Sequence, residues 1–516
     1  MATIIHTDKI DYNTLDGEEQ GWVYNALDCC MTHEVNDALV EKNADYAAAS
    51  YNFVRAMMGP AMHMSFRGCL IDTNKRGELI RQLEAEKEKY TKRVQRMVAV
   101  FWRDDFNPAS PDQLKTLLYT VMNVKAEYKW DSATKSRKIS TDKNALENID
   151  KGGWFYPRPI VKHVLKIRDL GKKIGVLKTG IDEDGRMRTA YNVSGTETGR
   201  WSSKENNFKT GTNLQNITNE LREMFIADEG WKMAYLDGEQ AESRLVAYES
   251  GDENYIAACE GGDLHTYVTR MVWPKLKWGL ETDHEHNREV AEQKFYKHWS
   301  YRDMAKRLGH GTNYIGSAYQ MAKHIHVEKK IVEDFQDIYL NRAFPGIAQW
   351  HQTTATLLQT QGYLDTPFGR RRYFFSRLDS EDTLKEAIAY VPQSTIGEWL
   401  NLALWRMWYH MDLHGNGDFQ CMMQVHDAVL VHYKDISHKF QQDILAKACA
   451  YMEFPIKAKY GTFIIPANVE GVGWNWRKYK EGTNNDGLLG LKKDEATNRK
   501  RTRSTKEATS VLARRL

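Results

Sequence analysis

Residues 421–433 read CMMQVHDAVLVHY, two short apolar runs joined by the polar residues Gln424, His426 and Asp427. Runs of this kind predict a β-hairpin whose tip carries the polar groups. A second apolar run, Met233-Ala234-Tyr235-Leu236, stops at Asp237 and passes into a helical pattern carrying Glu242, Arg244 and Leu245. Taken singly, Asp237 reads equally as a helix N-cap and Asp427 as a turn former. Taken together they matter, because two strand ends in one sheet can bring both carboxylates to a shared pair of cations. Metal ions roughly 3.5–4 Å apart can activate an attacking oxygen and stabilise a leaving one in phosphoryl transfer. Oxygen ligands with retained waters suit Mg²⁺.

Outward from these two points the pattern is mostly helical. A long helical region spans roughly residues 263–361. Within it RDMAKRLGHGTNYIG spaces Arg302, Lys306, His310 and Tyr314 four apart, along one slowly drifting helix face. Such a face is either a solvated stripe with incidental rings or a grip on a triphosphate with a ring for base stacking. Residues 186–216 are polar and rich in Gly, Ser, Thr and Asn, the composition of a loop that holds backbone or ligand. Residues 54–167 read as a helical arm, with one long charged helix over 75–100. In FNPASPDQL, Ser110-Pro111-Asp112 marks a helix start with proline in its first turn. Trp22, Val23, Ala26, Leu27, Val35, Ala38 and Leu39 place a further helix over 20–45. No internal repeat is present.

The 516 residues, 41% of them hydrophobic, give material for two to four packed subdomains. Mean hydropathy is −0.63, and no apolar run is long enough to cross a bilayer. MATIIHTDKI lacks the pattern of a secretory signal, so a cytoplasmic protein is expected. Cys29 and Cys30 are adjacent, and the six cysteines form neither zinc spacing nor a disulfide framework, so reduced thiols are expected. The net charge of +3 decides little, since a basic cleft can sit in a neutral surface. From about Leu491 onward basic residues dominate, which predicts a solvated tail able to touch nucleic acid nonspecifically.

At this point LDGEQAESR, RDMAKRLGHGTNYIG and QVHDA can be set side by side. They resemble motifs A, B and C of the family A (DNA polymerase I-like) DNA polymerases, in the family's order. NPASPDQL, GTETGRWSS, NLQNI and TPFGRRRYF agree as well, so the resemblance runs over more than three hundred residues. It implies an α+β right-hand polymerase with a helical thumb, an antiparallel-sheet palm and helical fingers. On that reading residues 1–50 are the end of an exonuclease domain or a docking segment and 51–170 the thumb. Residues 171–262 and 363–480 form the palm around fingers at 263–362, followed by a basic tail at 481–516.

The same resemblance assigns roles to residues. Asp237, Gly238 (by its carbonyl) and Asp427 match the metal site for two Mg²⁺ ions, with Mn²⁺ a possible substitute. Lys306 and Arg302 match phosphate-holding residues, assisted by His265. Tyr314 and His310 match the insertion-site rings, Glu242 matches the residue under the nucleotide sugar that excludes a 2′-hydroxyl, and Gln240 is a further dNTP contact. Arg200, Asn216, Arg370, Arg371, Gln393, Gln424 and His426 match contacts to primer-template DNA, with Arg372 beside them. Template-directed synthesis from dNTPs is implied, in the cytoplasm of a bacterial host if the source is a bacteriophage.

Four departures from the family pattern stand out. Ala428 occupies the position after Asp427 where the family has Glu, and His310 stands where it has Phe or Tyr. The stretch 268–302 is longer than usual, with His284 and His286 lacking a full ligand set. Tyr24 and Asp28 resemble the last exonuclease motif without the carboxylates that should precede it. The chain is therefore expected not to proofread alone, and a separate 3′–5′ exonuclease chain or a processivity factor is an expected partner. A single-subunit RNA polymerase and a non-catalytic DNA-binding platform remain the competing readings.

Overall fold

The computed structural model describes residues 11–42, 45–102, 106–131, 134–152 and 156–491. Of the basic tail read at 481–516, residues 492–516 lie outside them, and the part at 481–491 is corrected: Asn484 and Leu488 are buried and Leu489 pairs with Val472 of the sheet. Helix α1 (Gly17–Lys42) matches the expected N-terminal helix, and none of its described side chains is buried. Helix α2 (Asp45–Arg67) is different: Met57, Ala61 and Met64, at helical spacing, sink into the central core. Gly59 lets α2 approach closely there, since a Cβ would lie 2.6 Å from the Trp408 ring.

The arm follows. Helix α3 (Thr73–Val98) is the predicted charged helix, capped by Asp72, whose carboxylate accepts from the Lys75 amide at 2.9 Å. The Ser110 cap forms as expected, its hydroxyl accepting from Gln113 N–H at 3.3 Å. Helices α4 (Lys143–Lys151) and α5 (Pro157–Leu177) complete the arm around Val94, Leu117, Leu118, Leu146, Ile149 and Val164. One reading needs correction here. Tyr128–Asp131 and Ser136–Ile139 form a hairpin where helices were expected. Its strands are four residues long and bury no side chain, so they carry no alternating pattern to read.

Strand β1 (Trp231–Gly238) enters the centre of the molecule and is followed by helix α6 (Ala241–Ser250). Within 253–361 lie helices α7 (Leu264–Val272), α8 (Tyr301–Asn313) and α9 (Ala318–Ile325). The long insertion packs on this block through its tryptophans. Trp273 meets Phe295 and Tyr301 at 5.3 and 5.1 Å, and Trp299 Nε1 donates to the Ile325 carbonyl at 2.9 Å. A hairpin, Lys294–Tyr296 with Trp299–Ser300, interrupts the expected helical run.

Helix α10 (Glu381–Met407) then leads to the hairpin β2 (Phe419–Val425) and β3 (Ala428–Lys434), and β4 (Ala467–Gly473) closes the sheet. The sheet order is β2-β3-β1-β4, with every neighbouring pair antiparallel. Both faces are covered, which is why β2 and β3 read as continuous apolar runs. Ala234, Leu236, Val429 and Val431 face one core with Trp399. Met233 and Leu430 face another with Met187 and Trp476. Among the described residues no helix is long and apolar enough to cross a membrane. None of the six cysteines is paired in a disulfide.

Candidate active site

Register places the two carboxylates. Ala428 on β3 lies opposite Asp237 at the end of β1, so Asp427, one residue earlier at the hairpin tip, stands beside it. On the other side β4 sets Asn468 opposite Asp237. Both acids line a cavity of about 970 Å³ together with Gly238, Gln240, Glu242, His265, Lys306 and His310. Gly238 is required by packing: a Cβ there would lie 2.5 Å from the Trp399 ring.

The electrostatics suit a cation site. Burial pushes the Asp237 carboxyl up to about 7, and the negative charges of Glu470 and Asp427 add to it against the Gly238 N–H. Burial also raises Asp427, with Arg200 opposing and Glu242 adding. Desolvated carboxylates crowded together are costly as bare anions and favourable as ligands of a cation. The donor set is hard oxygen throughout, two carboxylates and the Gly238 carbonyl, and it fits Mg²⁺ or Mn²⁺. Among the described residues no group of three or more His, Cys, Asp or Glu side chains has metal-holding geometry. A cation held by the pair would take its remaining ligands from waters and phosphate oxygens, and His284 and His286 have no such three-ligand group among the described residues.

A chain of contacts joins Glu242 and Asp427 of the cavity lining to Tyr314 and Arg200 behind them. Tyr314 donates its hydroxyl to Glu242 Oε2 at 2.9 Å. Arg200 Nη2 donates to Glu242 Oε1 at 2.5 Å and to Asp427 Oδ1 at 3.3 Å. Tyr314 caps α8 rather than continuing it, which turns its ring toward Glu242. The His310 ring meets Tyr314 edge-on at 5.1 Å. Gln240 takes a left-handed backbone (φ 56°) at the start of α6, and its amide donates to the Gly262 carbonyl at 2.8 Å.

The cations of α8 differ in their freedom. Lys306 is exposed on the cavity wall. Arg302 is held by Asp263 through Nε and Nη2 at 3.1 and 2.9 Å. Burial alone would raise Asp263, but these bonds hold it below the usual carboxylate range. Burial, with Arg302 and Lys306 beside it, lowers His265 to about 4, so its ring is neutral near pH 7.

The remaining candidates fall into three settings. Gln424 is buried: its N–H donates to the Tyr191 hydroxyl, its side-chain amide to the His426 carbonyl, and its Oε1 accepts from Gln215. His426 turns outward with φ 55°. Gln393 is half-buried on α10, and Asn216 is exposed beside the buried Gln215. Arg370 pairs with buried Glu398 at 3.2 Å, Arg371 with Asp365 at 2.7 Å, and Arg372 with Glu386 at 2.9 Å and with Glu197. These bonds tie the TPFGRRRYF turn to α10 and its surroundings. Tyr24 and Asp28 lie exposed on α1, outside the cavity lining.

The family model for DNA polymerase family A matches residues 77–478, most of the chain. The chain belongs to DNA polymerase family A. Among curated relatives it is 28% identical over 434 residues to the thermostable DNA polymerase I of Thermus filiformis, covering 81% of this chain and 47% of the relative. It is 27% identical over 442 residues to the Thermus aquaticus enzyme, covering 83% and 48%. To the DNA polymerase I of Pseudomonas aeruginosa it is 25% identical over 479 residues, covering 89% and 48%. The chain thus spans about half the length of the curated relatives it matches. Among solved structures, the POL domain of Pol1 from M. smegmatis in complex with DNA primer-template and dNTP aligns with a TM-score of 0.62 and 22% identity, covering 81% of this chain and 69% of that one. The fold is the right-hand polymerase fold.

Seen as a family A polymerase, the chain holds polar partners that its motifs did not name. Gln215 stands inside the quoted NLQNI, yet only the packing of Leu214 and Ile217 turns it inward to Gln424. Asp263 and Tyr191 carry no motif signal, and their roles arise from where the fold sets them. Glu470 is the extra residue where the pairing of β4 with β1 shifts, and its charge reaches Asp237.

Proposed function

We propose that this chain carries out primer-dependent, template-directed DNA synthesis from dNTPs in DNA replication. The observation that carries the reading is the placing of Asp237 and Asp427 on adjacent strand ends of one cavity, with Lys306 on its wall. Two Mg²⁺ ions bound by Asp237, Asp427 and the Gly238 carbonyl, or Mn²⁺ in their place, would supply Lewis acidity to the primer hydroxyl and neutralise the leaving oxygens. The primer 3′-oxygen attacks the α-phosphorus in line, the α–β P–O bond breaks, and pyrophosphate leaves. Lys306 and Arg302, the latter exchanging Asp263 for phosphate, offset charge on the triphosphate.

Glu242, braced by Tyr314 and Arg200, fills the space beneath the sugar and rejects a 2′-hydroxyl. His265 and Gln240 border the nucleotide, and Tyr314 and His310 offer rings to the incoming pair. Arg200, Asn216, Gln393 and His426 contact the primer-template; Arg370 and Arg371 join them by exchanging Glu398 and Asp365 for phosphate, and buried Gln424 acts through the His426 carbonyl that it holds. In this reading residues 51–170 act as thumb, 171–262 and 363–480 as palm, and 263–362 as fingers.

Extension of a labelled primer-template with Mg²⁺ and dNTPs, beside Asp427→Ala, tests the proposal. Extension by the wild type that disappears in the variant is the expected result. Tight DNA binding with no extension would favour a DNA-binding platform instead. Extension with rNTPs as readily as dNTPs would favour an RNA polymerase.

A second proposal concerns α1, whose Trp22, Tyr24 and Met31 are 64%, 59% and 62% exposed. Residues 1–50 would dock a separate 3′–5′ exonuclease chain. Gel filtration of the mixed chains tests this, and the absence of any complex with candidate exonucleases defeats it.

A further inference from the structure

The arm and the helical block have separate cores, each joined to the central sheet region, and they also touch each other directly. On the block, α9 lines the candidate cavity with Gln320, Met321, His324 and Ile325. From the same helix Lys323 donates its ammonium to Asn148 Oδ1 on α4 of the arm. Lys151, one turn further along α4, donates to the Lys323 carbonyl at 3.4 Å. Asn148 is oriented for this contact, because its own amide donates to Glu127 Oε2 at 2.8 Å and leaves the oxygen facing the block. Sheet, arm, contact and block therefore make a closed circuit of protein beside the cavity.

The chemistry of the contact is that of a gate. It consists of lysine donors meeting an amide and a backbone carbonyl, groups that water satisfies equally well when they part. Bonds of this kind open and close without unfolding either element. We infer that the Asn148–Lys323 contact is a gate that closes the cleft into a ring around the primer-template duplex. This rests on the proposal that the cavity works on DNA. The gate adds hold without adding contacts to the duplex: a closed ring leaves a linear duplex only by its end and a circle only by reopening.

The test joins the gate covalently. Asn148→Cys and Lys323→Cys are placed in the full chain with Cys29 and Cys30 changed to serine, and the new thiols are bridged by a short bismaleimide. Peptide mass identifies the bridge. The chain bridged before DNA is added is expected to bind a primed linear strand by its end and to fail on the same strand closed into a circle. The chain bridged after binding is expected to leave the circle at least about 10²-fold more slowly than the linear strand in a heparin chase.

Equal release from circle and line, loading of the pre-bridged chain onto circles, or failure of the thiols to bridge would each overturn the gate. Lys323→Ala, which removes the ammonium donor and leaves the Asn148–Glu127 bond in place, is expected to shorten the product made per binding event. Unchanged product length would count against the gate. If the wild type binds no primed DNA at all, the polymerase reading fails and the ring falls with it. A polymerase that extends normally and is not retained on circles loses only the gate.

Discussion

Asp237 and Asp427 are half-buried carboxylates that desolvation raises above the ordinary range, and the site they share yields two residue-scale predictions. The Asp237 carboxyl is raised to about 7 by burial and by the charge of Glu470, against about 3.9 unfolded. Below about pH 4 the group is protonated in both states. As pH rises toward about 7 the unfolded chain ionises first, so the metal-free protein loses stability across that window. Asp237→Asn removes this contribution, and urea unfolding at pH 5 and pH 8 should show a smaller decline in the variant. Mg²⁺ should restore the wild type at pH 8, by about 2.7 kcal/mol when free ion exceeds Kd a hundredfold. Identical pH slopes in the two proteins would refute the assignment. Glu242→Ala should raise incorporation of rNTPs relative to dNTPs by on the order of 10²-fold, the scale set by steric exclusion in a pocket. Competition assays with both nucleotide types measure this ratio directly. The two acids were legible in sequence because each ends an apolar run. Their neighbours Arg200 and Tyr314 were legible only as motif members, not as partners of Glu242.

At the scale of elements, the strands with a buried face were readable and short exposed strands were not. The hairpin β2–β3 announced itself by apolar runs on both sides of Asp427. The hairpins Tyr128–Asp131/Ser136–Ile139 and Lys294–Tyr296/Trp299–Ser300 were missed, because short strands without a buried face leave no periodic mark. Strand β3 also holds a titratable group at a cost. His432 is fully buried, neither ring nitrogen has a hydrogen-bond partner among the described residues, and burial lowers it to about 3 against the pull of Asp228. Folded and unfolded chains both hold it neutral above about pH 6.5. As pH falls below that value the unfolded chain takes up the proton first, so stability is lost from pH 6.5 down toward 3. His432→Leu should flatten this acid limb, by up to about 1.4 kcal/mol per pH unit. Denaturant titrations between pH 7 and pH 4 would show it, and parallel curves would refute it.

Across the whole molecule the cores are distinct. The arm closes around Val94, Leu118, Leu146 and Val164, apart from the core that holds Trp399 and the sheet. A cavity in the arm should therefore act locally. Leu118→Ala is expected to cost about 2–5 kcal/mol of arm stability. Hydrogen exchange should rise in residues 94–167 before the central sheet, with weaker primer-template binding and retained single-nucleotide addition at saturating DNA. Uniform loss of protection through the sheet would show instead that arm and sheet unfold as one.

By itself the sequence determined the strand ends that carry Asp237 and Asp427, the helix that carries Lys306, their order along the chain, and the family they belong to. Those features are local: apolar period, caps and motif spacing are written within a few residues of one another. Tertiary structure alone decided that Arg200 reaches Glu242 across 42 residues and Asp427 across 227. It also decided that Tyr314 meets Glu242 across 72, that Asp263 restrains Arg302, and that Arg370, Arg371 and Arg372 spend their charge on protein acids. Each of these depends on which distant side chain the fold delivers to a buried charge. No local pattern encodes that arrival, because an unpaired buried charge accepts any partner the fold brings within reach.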